Sequence, residues 1–307
     1  MNTIIVGTVA YDKVETPFGK TDKILGGAAT YISLAASLFT NNLHLISVIG
    51  GDFSDEYLEI FRKRKINLNG LQVIPDQKTF FWSGKYHHDM NNRDTLVTEL
   101  NVLADFDPLL PEMAQSPDYV VLGNLTPSVQ LKVLSQLKNK PKLVIMDTMN
   151  FWMDTAWDDL MSVIAKVDVL LVNDSEARQL SGEYSLVKAA QKILGMGPQY
   201  LIIKKGEHGA MLFDKENVFF SPAFPLDDVY DPTGAGDTFA GGFIGYIAYT
   251  NNTSFEYMKN ALIYATALAS FTVEKFGTEK LQEITIDDVM ERVRLLNNFT
   301  QFDISLK

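Results

Sequence analysis

Between residues 119 and 204 the chain alternates short apolar runs with longer stretches of helical spacing. The runs are Tyr119–Leu122, Lys142–Met146, Asp168–Val172 and Tyr200–Lys204, and segments 127–138, 154–165 and 185–194 separate them. Apolar runs of four or five residues suit strands buried on both faces, and helical connections between them make those strands parallel. Residues 3–6 predict a first buried strand ended by Gly7, and residues 43–49 another, running into Gly50-Gly51-Asp52. Ser54 then predicts an N-cap, with Asp55 and Glu56 in the first helical turn. The basic run Arg62-Lys63-Arg64-Lys65 reads as the solvated end of that helix, where positive charge complements the dipole. Residues 210–230 predict two strands, and helices follow over 238–250, 254–274 and 285–298. The expected fold class is α/β: a doubly wound, mostly parallel sheet flanked by helices, one domain over residues 1–307.

One region breaks the rhythm. Residues 72–100 contain two β-prone stretches, Thr79–Tyr86 and Thr95–Leu100, joined by the polar turn 88–94. Phe80, Trp82 and Tyr86 share one face by two-residue alternation. They could line a pocket, stack on a base, form a dimer seam or pack a small sheet. His87 and His88 are adjacent and point to opposite faces, which argues against a metal pair.

Composition narrows the partners. The net charge is −11 and the pI about 4.9, the opposite sign to that of a typical nucleic-acid binder. No apolar run reaches membrane-spanning length, and no signal peptide precedes the first strand. There are no cysteines, which excludes disulfides and thiolate chemistry and fits a cytoplasmic protein.

The chemistry concentrates in Asp231-Pro232-Thr233-Gly234-Ala235-Gly236-Asp237-Thr238, followed by Phe239-Ala240-Gly241-Gly242-Phe243. Pro232 and the glycines make a tight turn that opens a helix. Unpaired amides at the positive end of a helix dipole form an anion site, most often for phosphate. Asp237 stands in the first turn beside it. A carboxylate there repels phosphate, unless it takes a proton from a hydroxyl attacking phosphorus. The plainer alternative is an Asp that only caps the helix. The stretch lacks Gly-Lys-Ser/Thr, so it is not a P-loop, and it lies too late in the chain for a dinucleotide fingerprint.

This stretch resembles the C-terminal signature of the ribokinase-like (PfkB) carbohydrate kinases. The resemblance implies Asp237 as catalytic base and the amides of Gly234, Ala235 and Gly236 as the anion hole. It points to Asp12, after the first strand, as a ligand of substrate hydroxyls. Gly26-Gly27-Ala28-Ala29-Thr30-Tyr31 resembles the family's N-terminal signature, whose paired glycines lie under the sugar. Here Tyr31 stands where the family commonly carries Asn, which puts ribose in doubt as the substrate. Asn173-Asp174-Ser175-Glu176 matches an Asn-x-x-Glu motif linked to Mg²⁺ and phosphate, with Asn173 and Glu176 as oxygen ligands. Lys204 and Gly206 match a Lys-x-Gly region that contacts nucleotide phosphates, and His208 reads as a turn residue. Asp147 and Asn150 are further near-site candidates. Thr233 and Gly277 are expected at the nucleotide, with Ala265, Ala269 and Phe271 as an adenine wall. A monovalent cation held by backbone oxygens near Asp231 and Thr233 is also implied. The resemblance further implies a small β lid, from strands over about 11–25 and 72–100, through which a homodimer could form.

The expected protein is therefore an ATP- and Mg²⁺-dependent kinase acting on a hydroxyl of a small sugar or polyol. Two alternatives stand beside it. One is a nucleoside kinase of the same family, motivated by Tyr31, Phe80, Trp82 and Tyr86. The other is a catalytically idle regulator that binds nucleotide or sugar.

Overall fold

The structure, a computed structural model, describes residues 1–301. The chain opens with β1 (Thr3–Val6), four residues buried on both faces. It then leaves for a smaller sheet through β2 (Ala10–Thr16), β3 (Gly19–Lys20) and β4 (Ile24–Gly26). It returns by α1 (Ala28–Ala36), β5 (Leu43–Gly50), α2 (Asp55–Lys63) and β6 (Asn67–Ile74). A second excursion adds β7 (Phe81–Tyr86) and β8 (Arg93–Glu99) to the smaller sheet.

From there the expected rhythm runs to the end of the main sheet. It comprises β9 (Tyr119–Leu122), α3 (Pro127–Ser135), β10 (Leu143–Asp147), α4 (Asn150–Thr155), α5 (Trp157–Ile164) and β11 (Val169–Asn173). Next come α6 (Asp174–Ser181), α7 (Leu186–Leu194), β12 (Tyr200–Lys204), β13 (Ala210–Phe213) and β14 (Val218–Ser221). Helices α8 (Ala235–Thr250), α9 (Phe255–Thr272), α10 (Glu279–Glu283) and α11 (Ile286–Thr300) complete the described chain.

The main sheet has nine strands in the order β14-β13-β12-β11-β10-β9-β1-β5-β6. All neighbours from β12 to β6 are parallel, and β13 and β14 extend the sheet as antiparallel strands. The chain builds outward from β1 in one direction and then the other, so the order reverses between β1 and β9. Ligands of such sheets sit at the strands' carboxyl ends near this reversal. One face is covered by α1, α8 and α9 through Tyr31, Ile32, Phe243, Ile244 and Leu268, and the other by α3, α5, α6 and α7. Each fully buried aliphatic or aromatic side chain of this kind contributes about 1.5–3 kcal/mol.

The smaller sheet has the order β3-β2-β7-β8, with β4 paired to β2. Asp12 and Trp82 are opposite each other in the parallel β2–β7 pair, and Tyr86 and Arg93 in the antiparallel β7–β8 pair. Their side chains therefore share one face.

Several expectations shift. Residues 72–74 belong to β6 at the edge of the main sheet, not to the smaller one. The helix expected over 154–165 is two helices, because Ala156 leaves helical geometry at φ −145°, ψ 43°. Residues 222–230, after β14, form no strand. Ser54 caps α2 as expected, accepting from the Glu56 amide at 3.2 Å. Arg64, by contrast, is not solvated: its Nη2 donates to the carbonyls of Leu281, Gln282 and Ile284 and ties α2 to the end of α10. Among the described residues no helix is long and apolar enough to cross a membrane.

Candidate active site

The turn before α8 is held by its first residue. Asp231 is fully buried, and its two carboxylate oxygens accept from the amides of Thr233 and Gly277, each at 2.9 Å. Gly234 follows in the left-handed region at φ +75°, with its Cα on the face of the Tyr31 ring. A Cβ there would lie 2.4–2.5 Å from three ring carbons. Only glycine satisfies both constraints. Among the described residues no side chain caps α8; the Ala235 amide donates to the Pro232 carbonyl at 3.2 Å, which leaves the amides of Gly236 and Asp237 in the first turn for a ligand. Gly234→Ala should therefore cost about 1–3 kcal/mol in backbone strain alone. It should also push Tyr31 out of place and lower turnover. Thermal unfolding with an ADP-release assay checks this, and an unchanged melting temperature would contradict the contact.

Two carboxylates lie near this turn, close enough for Asp237 to raise the pKa of Asp12. Asp237 lies in the first turn of α8, recessed but partly accessible. Burial and the nearby Asp147 push its pKa up to about 7, against Lys204 and Arg93. Asp12 lies on β2 with its carboxylate against the Cα of Gly26, where a Cβ would come within 1.9 Å of Oδ2. Burial also raises Asp12 to about 7; the Gly27 amide opposes this, and Asp231 and Asp237 add to it. The Tyr31 hydroxyl is buried near these groups and has no hydrogen-bond partner among the described residues. Burial drives its pKa well up, with Asp12, Asp231 and Asp237 adding to the shift.

Behind the turn sits a largely buried ion pair. Lys204, at the end of β12, donates to both oxygens of Asp147, at the end of β10, at 3.0 and 2.9 Å. Its Nζ is also the nearest atom to a Cβ placed on Gly236, at 3.1 Å, so the ammonium borders the α8 amides. Burial works against the charge, but Asp147, Glu176 and Asp237 outweigh it and hold Lys204 above its ordinary value. Glu176 is buried on α6 and raised to about 7, chiefly by that burial. Asn173 and Glu176 form a capping box: Asn173 Oδ1 accepts from the Glu176 amide at 2.8 Å, and Glu176 Oε2 from the Asn173 amide at 2.7 Å. One Glu176 oxygen remains for another donor. Asn150 is not brought into the cluster, since its amide binds Gln179.

A cleft of about 480 Å³ opens beside Lys204 and Gly236. Ala223, Phe224, Leu226, Val229 and Ala269 form an apolar wall, and Gly206 lines the cleft with Lys204 and Gly236. Of the expected adenine wall only Ala269 lines the cleft. Ala265 is buried beneath Gly242, and Phe271 turns to the Arg292 guanidinium, 3.3 Å from its ring centre. Thr233 and Gly277 do not line it either. Thr233 Oγ1 donates to the Tyr86 hydroxyl at 3.3 Å, and Gly277 packs on Ile24, so both hold the turn from the side of the smaller sheet. His208 is exposed in a short turn.

Three features escaped the sequence reading. Asp231 staples the turn through its side chain. The tip of the β7–β8 hairpin, Asp89–Asn91, lines the cleft, with Asn91 Oδ1 3.0 Å from a Cβ placed on Gly206. Arg93 lowers the pKa values of Asp12, Glu176 and Asp237 from the same hairpin. Arg93 stands in a polar stretch, and nothing local signalled either its role or the hairpin's reach.

The chain is 30% identical to the cytidine kinase of Thermococcus kodakarensis over 251 residues, 80% of this chain and 88% of that protein. The crystal structure of the nucleoside kinase of Methanocaldococcus jannaschii shares the fold at a TM-score of 0.77 and 23% identity, covering 96% of this chain and 99% of that one. A Burkholderia thailandensis nucleoside kinase in complex with inosine superposes at a TM-score of 0.80 and 20% identity, covering 96% and 98%. The pattern of the pfkB family carbohydrate kinases matches residues 6–284. That match takes in the stapled turn and the raised carboxylates Asp12, Glu176 and Asp237, and the chain belongs to the pfkB family of carbohydrate kinases.

Proposed function

We propose that this kinase transfers the γ-phosphoryl group of ATP to a ribose hydroxyl of a nucleoside. The observation that carries the reading is Asp237 in the first turn of a helix without a side-chain cap, with Asp12 near enough to feel its charge and both raised to about 7. Asp12 and the Gly26–Gly27 segment orient the acceptor by hydrogen bonds to its hydroxyls. Asp237 accepts the proton of the attacking hydroxyl, and a base with a pKa near the working pH is suited to that step. The α8 amides and Lys204 stabilise charge on the phosphoryl oxygens. The apolar wall with Ala269 takes the base of ATP.

The oxygen donors Glu176 and Asn173 suit Mg²⁺, which prefers hard ligands reached through its own waters. Most of their direct capacity is used in the capping box, so Glu176 would accept from a metal-bound water. When bound, the ion neutralises triphosphate charge that the acidic cluster cannot.

Between a free sugar and a nucleoside, the cytidine kinase relative favours the nucleoside. Tyr31, in place of the family's Asn, is buried beneath Gly234, so its ring shapes the turn rather than stacking on a base. An ADP-release assay with Mg·ATP against pentoses, hexoses, inositols and nucleosides tests the assignment. A nucleoside should give the highest kcat/KM, with free ribose at least about tenfold lower, the discrimination expected when a site's contacts to a whole substrate moiety go unused. A free sugar as the best acceptor would overturn the nucleoside reading.

A further inference from the structure

We propose that Arg93 is a catalytic residue, carried by the β7–β8 hairpin to the transferring phosphoryl group. The inference builds on the transfer geometry above, whichever acceptor is used.

The backbone aims the side chain. Arg93 is the first residue of β8 and lies opposite Tyr86, so both project from one face. That face is turned to the site, because the Tyr86 hydroxyl touches Thr233 of the turn that opens α8. Beyond the pair, the hairpin tip continues over the cleft and abuts Gly206. Arg93 thus leaves the hairpin between the Asp12 side of the site and the phosphate side.

The side chain has a platform. Trp82 lies across Gly84, where a Cβ would come within 2.2 Å of the indole, and the ring carries the Arg93 guanidinium 5.6 Å from its centre. That distance is within cation–π range. The Trp82 Nε1–H is directed to Thr95, also on β8, at 3.4 Å, which fixes the ring against the same strand. Among the described residues Arg93 makes no ion pair, whereas Lys204 is already held by Asp147. Its charge lowers the pKa values of Asp12, Glu176 and Asp237, as the weakest influence on each, so the guanidinium lies on the same side of the molecule as all three.

An exposed guanidinium seated on the Trp82 ring, on the face that Tyr86 turns to the site, lacks only an anion. A transferring phosphoryl group supplies one, and the planar fork suits two of its oxygens. In the step, the acceptor oxygen forms its bond to the γ-phosphorus as the bond to the β–γ bridging oxygen breaks. The hydroxyl proton passes to Asp237 and the electron pair leaves with ADP. Arg93 balances charge on the equatorial oxygens throughout.

Arg93→Ala should lower kcat on the order of 10²–10³-fold, as the loss of a preorganised charge donor does. KM for the acceptor should stay nearly unchanged, and added guanidinium ion should restore part of kcat while methylammonium does not. Arg93→Lys should fall between. Trp82→Leu should lower kcat in the wild-type background and add little in the Arg93→Ala background, because both remove one device. Asp94→Ala, on the opposite face of β8, should retain activity. The assay uses whichever acceptor the wild-type enzyme turns over, so a sugar in place of a nucleoside overturns the substrate assignment and leaves this test intact. Wild-type kcat in Arg93→Ala would overturn the proposal. So would a loss that guanidinium cannot restore and that Asp94→Ala matches, since that would mark a damaged hairpin.

Discussion

Asp237→Asn is expected to lower kcat by about 10²–10⁴-fold, the usual cost of removing a positioned base. The same change should stabilise the fold at pH 8. Burial raises the Asp237 pKa to about 7, so between roughly pH 4 and 7 the folded chain holds a proton that the unfolded chain has lost. Stability therefore falls as pH rises through that window, and above it the fold carries an ionised, desolvated carboxylate. Asparagine removes that penalty, on the order of 1–3 kcal/mol once partial access and the neighbouring Lys204 are allowed for. The melting temperature of Asp237→Asn should exceed that of wild type at pH 8, with the difference shrinking toward pH 5. The same pKa gives wild-type kcat/KM an acid limb near pH 7, shared with Asp12 because the two titrate together. Equal melting temperatures at pH 8 and no acid limb near neutrality would remove Asp237 from the role of desolvated base.

Lys204→Met is expected to be the most destabilising single change in the site. It leaves Asp147 and Glu176 buried without the cation that compensates them, and breaking a buried pair this way typically costs about 3–5 kcal/mol. Carboxylates relieve the loss by binding protons, so the deficit should be larger at pH 8 than at pH 6. ATP affinity should fall as well, because the ammonium borders Gly236. With Lys204 gone, Asp237 loses an opposite charge and the acid limb of any residual activity should move to higher pH. Urea unfolding at the two pH values, with nucleotide titration, measures these effects. Stability equal to wild type at pH 8 would mean that the pair contributes nothing to the fold.

The parallel core was legible because strands buried on both faces must be apolar throughout, as Tyr119–Leu122 and Tyr200–Lys204 are. The glycine turn that opens α8 was legible because glycines and an Asp opening a small-residue helix form a local pattern. What stayed hidden depends on distance. The polar edge strand Asn67–Ile74 shows no clean alternation, because one side of it meets no neighbour. Asp147 and Lys204 are 57 residues apart, and nothing near either announces the pair. The seat of Gly234 on Tyr31 needs the α1–α8 contact, and Tyr31 alone reads only as a departure from a family pattern. Phe271 was misplaced because helical spacing gives a face without saying which neighbour it meets; Arg292 of α11 claimed it. Arg93 stood in a turn that seemed merely polar until the register of β7 and β8 set it opposite Tyr86.

The most direct test of the account identifies the product. Wild-type protein and Asp237→Asn are incubated with Mg·ATP and a nucleoside, cytidine first, and the products are resolved by phosphorus NMR, with binding of both substrates measured separately. The account predicts a nucleoside monophosphate from wild type alone, with both proteins binding ATP and nucleoside. A monophosphate formed equally fast by Asp237→Asn, or no phosphorylation of any nucleoside by a wild-type protein that phosphorylates a free sugar, would contradict it.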